Sequence, residues 1–237
     1  MKMIIALQAD PKDFFGTKSM PSNVELLKLV EKVASMGFKA IQIGLMTGYV
    51  GIGGGRLRKT LDSLKMERNV HVGGIFDVES FVTTEQEYQR LQKHIRGAVT
   101  LCNEIGATLV SVHPPFFQRT IKVDDAFLQK ARTRFQKLLE SEVDFATRKN
   151  VKVALESFCY PPFIFHGLDE FSQFIEQFPP EKLGVLMDAR SPVPSRDRLG
   201  RGRSSIQTAA AGHPRSRCNA RQRLSGGNPL AYWKGND

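Results

Sequence analysis

Val151-Lys152-Val153-Ala154-Leu155-Glu156-Ser157 decides how the rest of the chain is read. It is a short β-branched apolar run that stops at a carboxylate. That is the pattern of a strand buried on both faces that delivers an acidic side chain at its C-terminal end. Two neighbouring stretches repeat the form. Leu109-Val110-Ser111-Val112-His113-Pro114-Pro115 ends in a histidine, and Leu183-Gly184-Val185-Leu186-Met187-Asp188 ends in an aspartate. Working outward, six runs of this kind are found: Met3–Leu7, Ala40–Gly44, Val70–Phe76, Thr108–Val112, Val151–Leu155 and Leu183–Met187.

Helical patterns with clear punctuation lie between them. Ser22 or Asn23 can cap a helix carrying Val24, Leu27, Val30 and Val33, which Gly37 stops. Thr84 and Glu87 have capping-box spacing before an amphipathic stretch ending near Gly106. Asp124 or Asp125 opens a helix through Phe135 and Leu139 that Asn150 ends, and Asp169 can cap Phe171 to Ile175. Strand alternating with helix predicts an α/β fold with a parallel sheet. The expectation is a (β/α)8 TIM-type barrel with about six βα units over residues 1–189. Gly51-Ile52-Gly53-Gly54-Gly55 fits neither the dinucleotide fingerprint nor the Walker pattern; it reads as a substrate-facing loop before it reads as a phosphate cradle.

Residues 190–237 differ. They hold 9 Arg and 1 Lys against 2 Asp, so +8 of the chain's +10 sits there and only +2 is left for the first 189 residues. The periodicity also stops, which predicts an irregular basic tail. The barrel region itself is nearly neutral, which argues against nucleic acid as its partner. At 237 residues, 41% hydrophobic and 24% charged, the composition is that of a globular chain near the size of one barrel. No apolar run is long enough to span a membrane, and the N-terminus does not read as a signal peptide. Cys102, Cys159 and Cys218 have neither metal nor disulfide-framework spacing. A reducing, cytoplasmic setting is expected.

In such barrels the chemistry sits where strands end. The positions just past the runs are Gln8, Gly44, Asp77, His113, Glu156 and Asp188. Any one of them can be a cap or a rim ion pair. His, Glu and Asp on three successive strands together point to a divalent cation. His71 is placed at the start of its run and so on the opposite rim. His94 falls mid-helix and His166 in a loop, and all three are read as structural or solvent-facing. Phe14, Phe15, Phe116, Phe117 and Phe158 follow strands and could wall one side of a pocket, or simply pack.

Gly37-Phe38-Lys39-Ala40-Ile41-Gln42, Val110-Ser111-Val112-His113-Pro114, Ala154-Leu155-Glu156-Ser157 and Gly184-Val185-Leu186-Met187-Asp188, in that order, resemble the xylose isomerase-like TIM-barrel superfamily. It comprises sugar phosphate isomerases and epimerases and also the endonuclease IV type of repair enzyme. The resemblance covers about Met3 to Asp188. It implies a metal-dependent isomerase or epimerase of a small sugar, working by proton transfer next to a carbonyl. The alternatives are an endonuclease IV-like phosphodiesterase and a non-catalytic fragment. It implies Glu156 and Asp188 as ligands of a divalent metal (Mn²⁺, Mg²⁺, Co²⁺ or Zn²⁺), and Glu156 also as the catalytic acid–base group. His113, Gln8 and Gln42 are expected to bind a sugar substrate, and a homo-oligomer is compatible with the fold.

After Asp188 the family continues with Gly-His and later ligands on strands seven and eight, which have no counterpart in Ala189-Arg190-Ser191-Pro192. Weak metal binding and little turnover are therefore expected of this chain. Codons for Arg190–Arg198, read one base later, can encode Gly-His-Leu-Tyr-Gln-Ala-Gly-Ile-Asp. Those for Pro229–Asp237 can likewise encode His-Leu-Pro-Ile-Gly-Lys-Gly-Thr-Ile, which resembles the loop before strand eight. The tail is thus read as a frameshift product, with a disordered basic tail as the alternative.

Overall fold

The computed structural model describes residues 4–9, 23–45, 54–73, 76–118, 124–159, 162–187 and 229–232. Its strands are β1 (Ile4–Ala9), β2 (Ala40–Leu45), β3 (Glu67–Val72), β4 (Leu109–Val112), β5 (Lys152–Glu156), β6 (Leu183–Leu186) and β7 (Pro229–Tyr232). Its helices are α1 (Asn23–Ser35), α2 (Gly54–Ser63), α3 (Val78–Thr83), α4 (Glu85–Glu104), α5 (Asp125–Thr147) and α6 (Leu168–Ile175). The strands form one sheet in the order β6-β5-β4-β3-β2-β1-β7. β1 to β6 run parallel in chain order, as six successive units of a TIM barrel do. β7 pairs antiparallel with β1, Ile4 opposite Tyr232. The reading of the tail did not anticipate this strand.

The helix signals are local, and the structure follows most of them. Thr84 caps α4 by accepting from the Glu87 amide, and Asp124 caps α5 by accepting from the Phe127 amide at 2.7 Å. Gly37, Gly106 and Asn150 follow α1, α4 and α5 with positive φ (89°, 70° and 55°), the left-handed turn that releases a helix end. Two signals resolve differently. α6 starts one residue past Gly167, so Asp169 lies in its first turn and complements the helix dipole instead of capping it. Asp77 is the cap of α3, its Oδ2 accepting from the Ser80 amide and hydroxyl at 3.0 and 2.9 Å, which commits that carboxylate to the backbone.

The core lies between sheet and helices. Ile41, Ile43, Val70, Val72, Val110, Val112, Val153 and Leu155 are all buried, with α4 packed on β3 and β4, and α5 on β5. Phe135 of α5 is fully buried between Phe81 and Phe174, with ring centroids at 6.4 and 5.9 Å. The glycine stretch 51–55 is described only from Gly54, where α2 begins. There the Glu104 carboxylate accepts from the Gly54 amide at 2.9 Å, so an acidic side chain occupies the helix N-terminus that a phosphate would need.

Candidate metal centre

Side chains alternate along a strand, so residues with the outer face in the core place their neighbours inside the barrel. In β2 to β5 these inner positions are polar or small: Gln42 and Gly44, Asn69 and His71, Ser111, Ala154 and Glu156. His113, the residue after β4, extends the same alternation. The parallel register sets Gly44 beside His71, His71 beside Ser111, and Ser111 beside Ala154. His71, His113 and Glu156 are therefore delivered by three adjacent strands to one end of the sheet.

Their ligand atoms lie within 4.8 Å of one another. Glu156 Oε2 is 2.8 Å from His113 Nε2 and 3.7 Å from His71 Nδ1. The two imidazoles meet edge to face at 4.4 Å. Glu156 and His71 are almost wholly buried, while His113 remains about a quarter exposed and opens the cluster outward. Burial, reinforced by the His113 ring, pushes the His71 pKa well below its usual value, so the ring is neutral at pH 7. A neutral imidazole is the form that ligates metal.

The carboxylate tests whether a cation fits. Oε2 of Glu156 is buried and makes no hydrogen bond among the described residues, with His113 Nε2 2.8 Å away as its ion-pair neighbour. An unsatisfied buried carboxylate oxygen beside two imidazole nitrogens is what a divalent ion would complete. Two histidines and one glutamate match a zinc-type set that keeps a position open for water or substrate. They also suit other intermediate divalent ions.

The rim around the cluster is tied down. Phe116 exchanges backbone hydrogen bonds with Phe76 and Val78, Phe117 donates to Pro162, and Ile164 donates to Pro115. These bonds hold together the loops that follow β3, β4 and β5. Phe158 stands edge-on to His113 at 4.6 Å and stacks on Phe163 at 4.4 Å, which in turn meets Phe116 at 5.5 Å. A row of aromatic rings thus runs from His113 through Phe158 and Phe163 to Phe116. Phe117 is a core residue against Phe127, and Phe14 and Phe15 lie outside the described residues.

Of the residues singled out in the sequence, Glu156 and His113 meet here. Gln42 is buried and donates to the Ser111 hydroxyl at 2.9 Å, which in turn lies 2.8 Å from His71 Nδ1. Gln8 is half-buried on β1, in register with Gln42. Asp188 lies outside the described residues. His71 is corrected. β3 begins at Glu67, three residues before the apolar run, which makes His71 its next-to-last residue and puts it at the site's end of the sheet. The polar residues Glu67, Arg68 and Asn69 concealed the strand's start. Alternation counted from Glu67 places Asn69 and His71 on one face and would have found it. His94 is a buried helix residue packed edge-on against Phe76 at 5.6 Å, and His166 is exposed.

The parallel strands define a TIM-barrel scaffold, with a candidate metal centre in the side chains at their ends. The profile described as xylose isomerase-like TIM barrel matches residues 30–190, and the chain belongs to that family. Among solved structures it is similar to a D-allulose 3-epimerase from Methylomonas sp. The identity is 16% over 70% of this chain and 57% of that one, with a TM-score of 0.55. An L-ribulose 3-epimerase matches at 13% identity over 79% and 60%, TM-score 0.59. A 3-keto-D-glucoside 4-epimerase from E. coli matches at 16% over 78% and 67%, TM-score 0.55. These likenesses concern the fold, and the chain spans 57–60% of the length of the first two structures. No curated protein matches. Among the described residues, no helix is long and apolar enough to cross a membrane.

Proposed function

We propose that this barrel carries a divalent-metal-dependent isomerase or epimerase site for a small sugar. One observation carries the reading. His71, His113 and Glu156 converge within 4.8 Å at the strand ends, around a buried carboxylate oxygen that lacks a hydrogen bond. A bound divalent cation would supply Lewis acidity toward substrate oxygens. Glu156 would serve as ligand and as one acid–base group for a proton next to a carbonyl. His113, the exposed member, and the aromatic row of Phe158 and Phe163 would orient the sugar. Asp188 is proposed as a further ligand, and Gln8 as a polar contact on the β1 side. The opposing carboxylate is assigned to the part of the family barrel that follows Asp188, so turnover requires that part. We propose that residues 190–237 arise from a frameshift; sequencing the gene across codon 188 tests this.

The deciding experiment is metal-dependent exchange of substrate carbon-bound hydrogen with D₂O. It uses a ketose panel, Mn²⁺ or Mg²⁺, and two proteins: this chain and one with the frame restored after Asp188. Exchange in the restored protein alone supports the reading. Exchange in neither removes it.

A second reading gains from the position of His71. Two histidines and a glutamate on one centre also suit a metal-dependent phosphodiesterase of the endonuclease IV type. The near-neutral charge of residues 1–189 weighs against a DNA-facing rim. Metal-dependent nicking of abasic DNA by the restored protein would reverse the preference.

A further inference from the structure

Among the described residues, β6 is the one strand of the parallel set with a neighbour on a single side. β5 covers one edge and the other is open. The sequence there is Lys182-Leu183-Gly184-Val185-Leu186-Met187-Asp188, whose five central residues carry no charge and no proline. Edge strands are ordinarily blunted by such residues. Val185 stands opposite Leu155 in register, so Leu183, Val185 and Met187 share the outer face of the sheet. Val185 and Met187 are 43% and 54% exposed there. The Leu186 carbonyl accepts from the Ser157 amide, on the β5 side, at 2.9 Å. Successive residues turn their backbone groups to opposite edges, so Val185 aims its N–H and C=O at the open edge.

The sequence that follows β6 is poorly matched to that edge. Residues 188–228 hold nine arginines and three prolines, and the apolar alternation stops there. Proline gives no N–H to a ladder. The opposite end of the sheet is closed: β7 lies antiparallel on β1, from Ile4 opposite Tyr232 to Leu7 opposite Pro229. A β6-to-β1 contact between copies, which would extend head to tail, is therefore blocked. A two-fold contact of β6 with β6 is left, and symmetry makes it antiparallel. Opposed residues must lie on one face, and a pair centred on Val185 meets that condition. Val185 then exchanges two hydrogen bonds with the Val185 of the second copy, and Leu183 faces Met187. Lys182 faces Asp188 at both ends, so unlike charges meet. Lys182 is 43% exposed and pairs with Asp144 at 2.9 Å, which leaves it N–H donors to spare. A carboxylate accepts on two oxygens, so Asp188 can serve this pairing and the proposed cation together.

We propose that β6 is an interaction edge for a second copy of this chain: two β6 strands pair antiparallel about Val185 into a closed dimer with one continuous sheet. By sealing β1, β7 stops growth at that dimer. The exposed apolar side chains of the two outer faces cover one another. The inference concerns the chain as it stands and does not depend on the metal-centre reading.

Sedimentation equilibrium of the full-length, metal-stripped chain at micromolar concentrations should give twice the chain mass. A monomer, or a mass that climbs past the dimer, overturns the proposal with no variant needed. Val185→Lys places a charge on the open edge and should give a monomer with an unaltered circular dichroism spectrum, while Val185→Thr should stay dimeric. A folded Val185→Lys that remains a dimer overturns the assignment of the edge. Leu230→Pro combined with Ala231→Pro strips β7 from β1 and should raise the mass beyond the dimer. A mass held at the dimer overturns the sealing role of β7. Disulfide trapping in a Cys218→Ser background reads the register. Cα atoms of a hydrogen-bonded antiparallel pair lie about 5.5 Å apart, within disulfide reach. Val185→Cys should cross-link to its own copy, and Met187→Cys roughly tenfold more slowly, because Leu183 is what it faces. Equal rates overturn the register.

Discussion

The two faces of β2 to β5 are both buried, yet they follow opposite rules. The outer face is Ile41, Ile43, Val70, Val72, Val110, Val112, Val153 and Leu155, all essentially without exposed surface under α4, α5 and their neighbours. The inner face carries Gln42, Asn69, His71, Ser111 and Glu156, equally hidden. Burying apolar side chains stabilises the fold roughly in proportion to area. Burying a carboxylate, an imidazole and two amides costs free energy unless each finds a partner, and three oxygens here have none. The outer face holds the sheet to its helices. The inner face gives up stability to bring polar groups together, a trade common at functional sites.

The most severe way to break the outer face is Phe135→Ala. It removes a fully buried ring packed between Phe81 and Phe174 and should cost about 3–5 kcal/mol. Urea unfolding followed by circular dichroism measures it. Cation binding by the residual folded protein should be unchanged; a specific loss of binding without loss of stability would contradict the division of labour.

Glu156→Gln should do the reverse. It removes the charge at the unpaired oxygen, so Co²⁺ binding should fall by about 100-fold, the upper end for altered metal sites. The thermal midpoint of the metal-free protein should hold or rise. A large drop in that midpoint would mean that Glu156 is chiefly structural.

Acid separates the faces by pH. The folded His71 pKa is depressed, first by burial and then by His113. Below about pH 6.5 the unfolded chain takes up a proton that folded His71 refuses, so stability falls as pH falls through that value. His71→Gln should flatten this part of a stability–pH curve in metal-free protein, and an unaltered slope would sink the assignment.

The smallest effect concerns Cys102 on α4, whose thiol is pushed by burial to about 12. Its raised pKa contributes stability that is intact below the unfolded thiol value and is lost as pH rises from about 8.5 toward 12. At pH 8 the folded thiol should resist alkylation. Mass spectrometry of partially alkylated protein should show Cys102 modified no faster than global unfolding.

The legibility of the chain follows the same division. Thr84, Asp124, Gly37, Gly106 and Asn150 could be read because a cap or a left-handed stop is made by neighbours within four residues. The strands β1, β2, β4, β5 and β6 were readable because their apolar runs coincide with the paired segments to within two residues. β3 was misplaced because its first half, Glu67-Arg68-Asn69, pairs with β2 through backbone groups that carry no apolar signal. That shift sent His71 to the wrong end. Ser111 was missed for a related reason: a serine inside a strand is chemically silent until its neighbours across the sheet are known.

The amino-acid sequence by itself determined the alternation of buried strands and capped helices, the barrel class, and the place of Glu156 and His113 at strand ends. All of these rest on periodicity and on signals spanning a few residues. Only the tertiary structure decided that His71 joins them and that Ser111 and Gln42 stand behind His71. Those relations are set by the register of parallel strands some 27 to 69 residues apart in the chain, and register is a property of the sheet, not of any one segment.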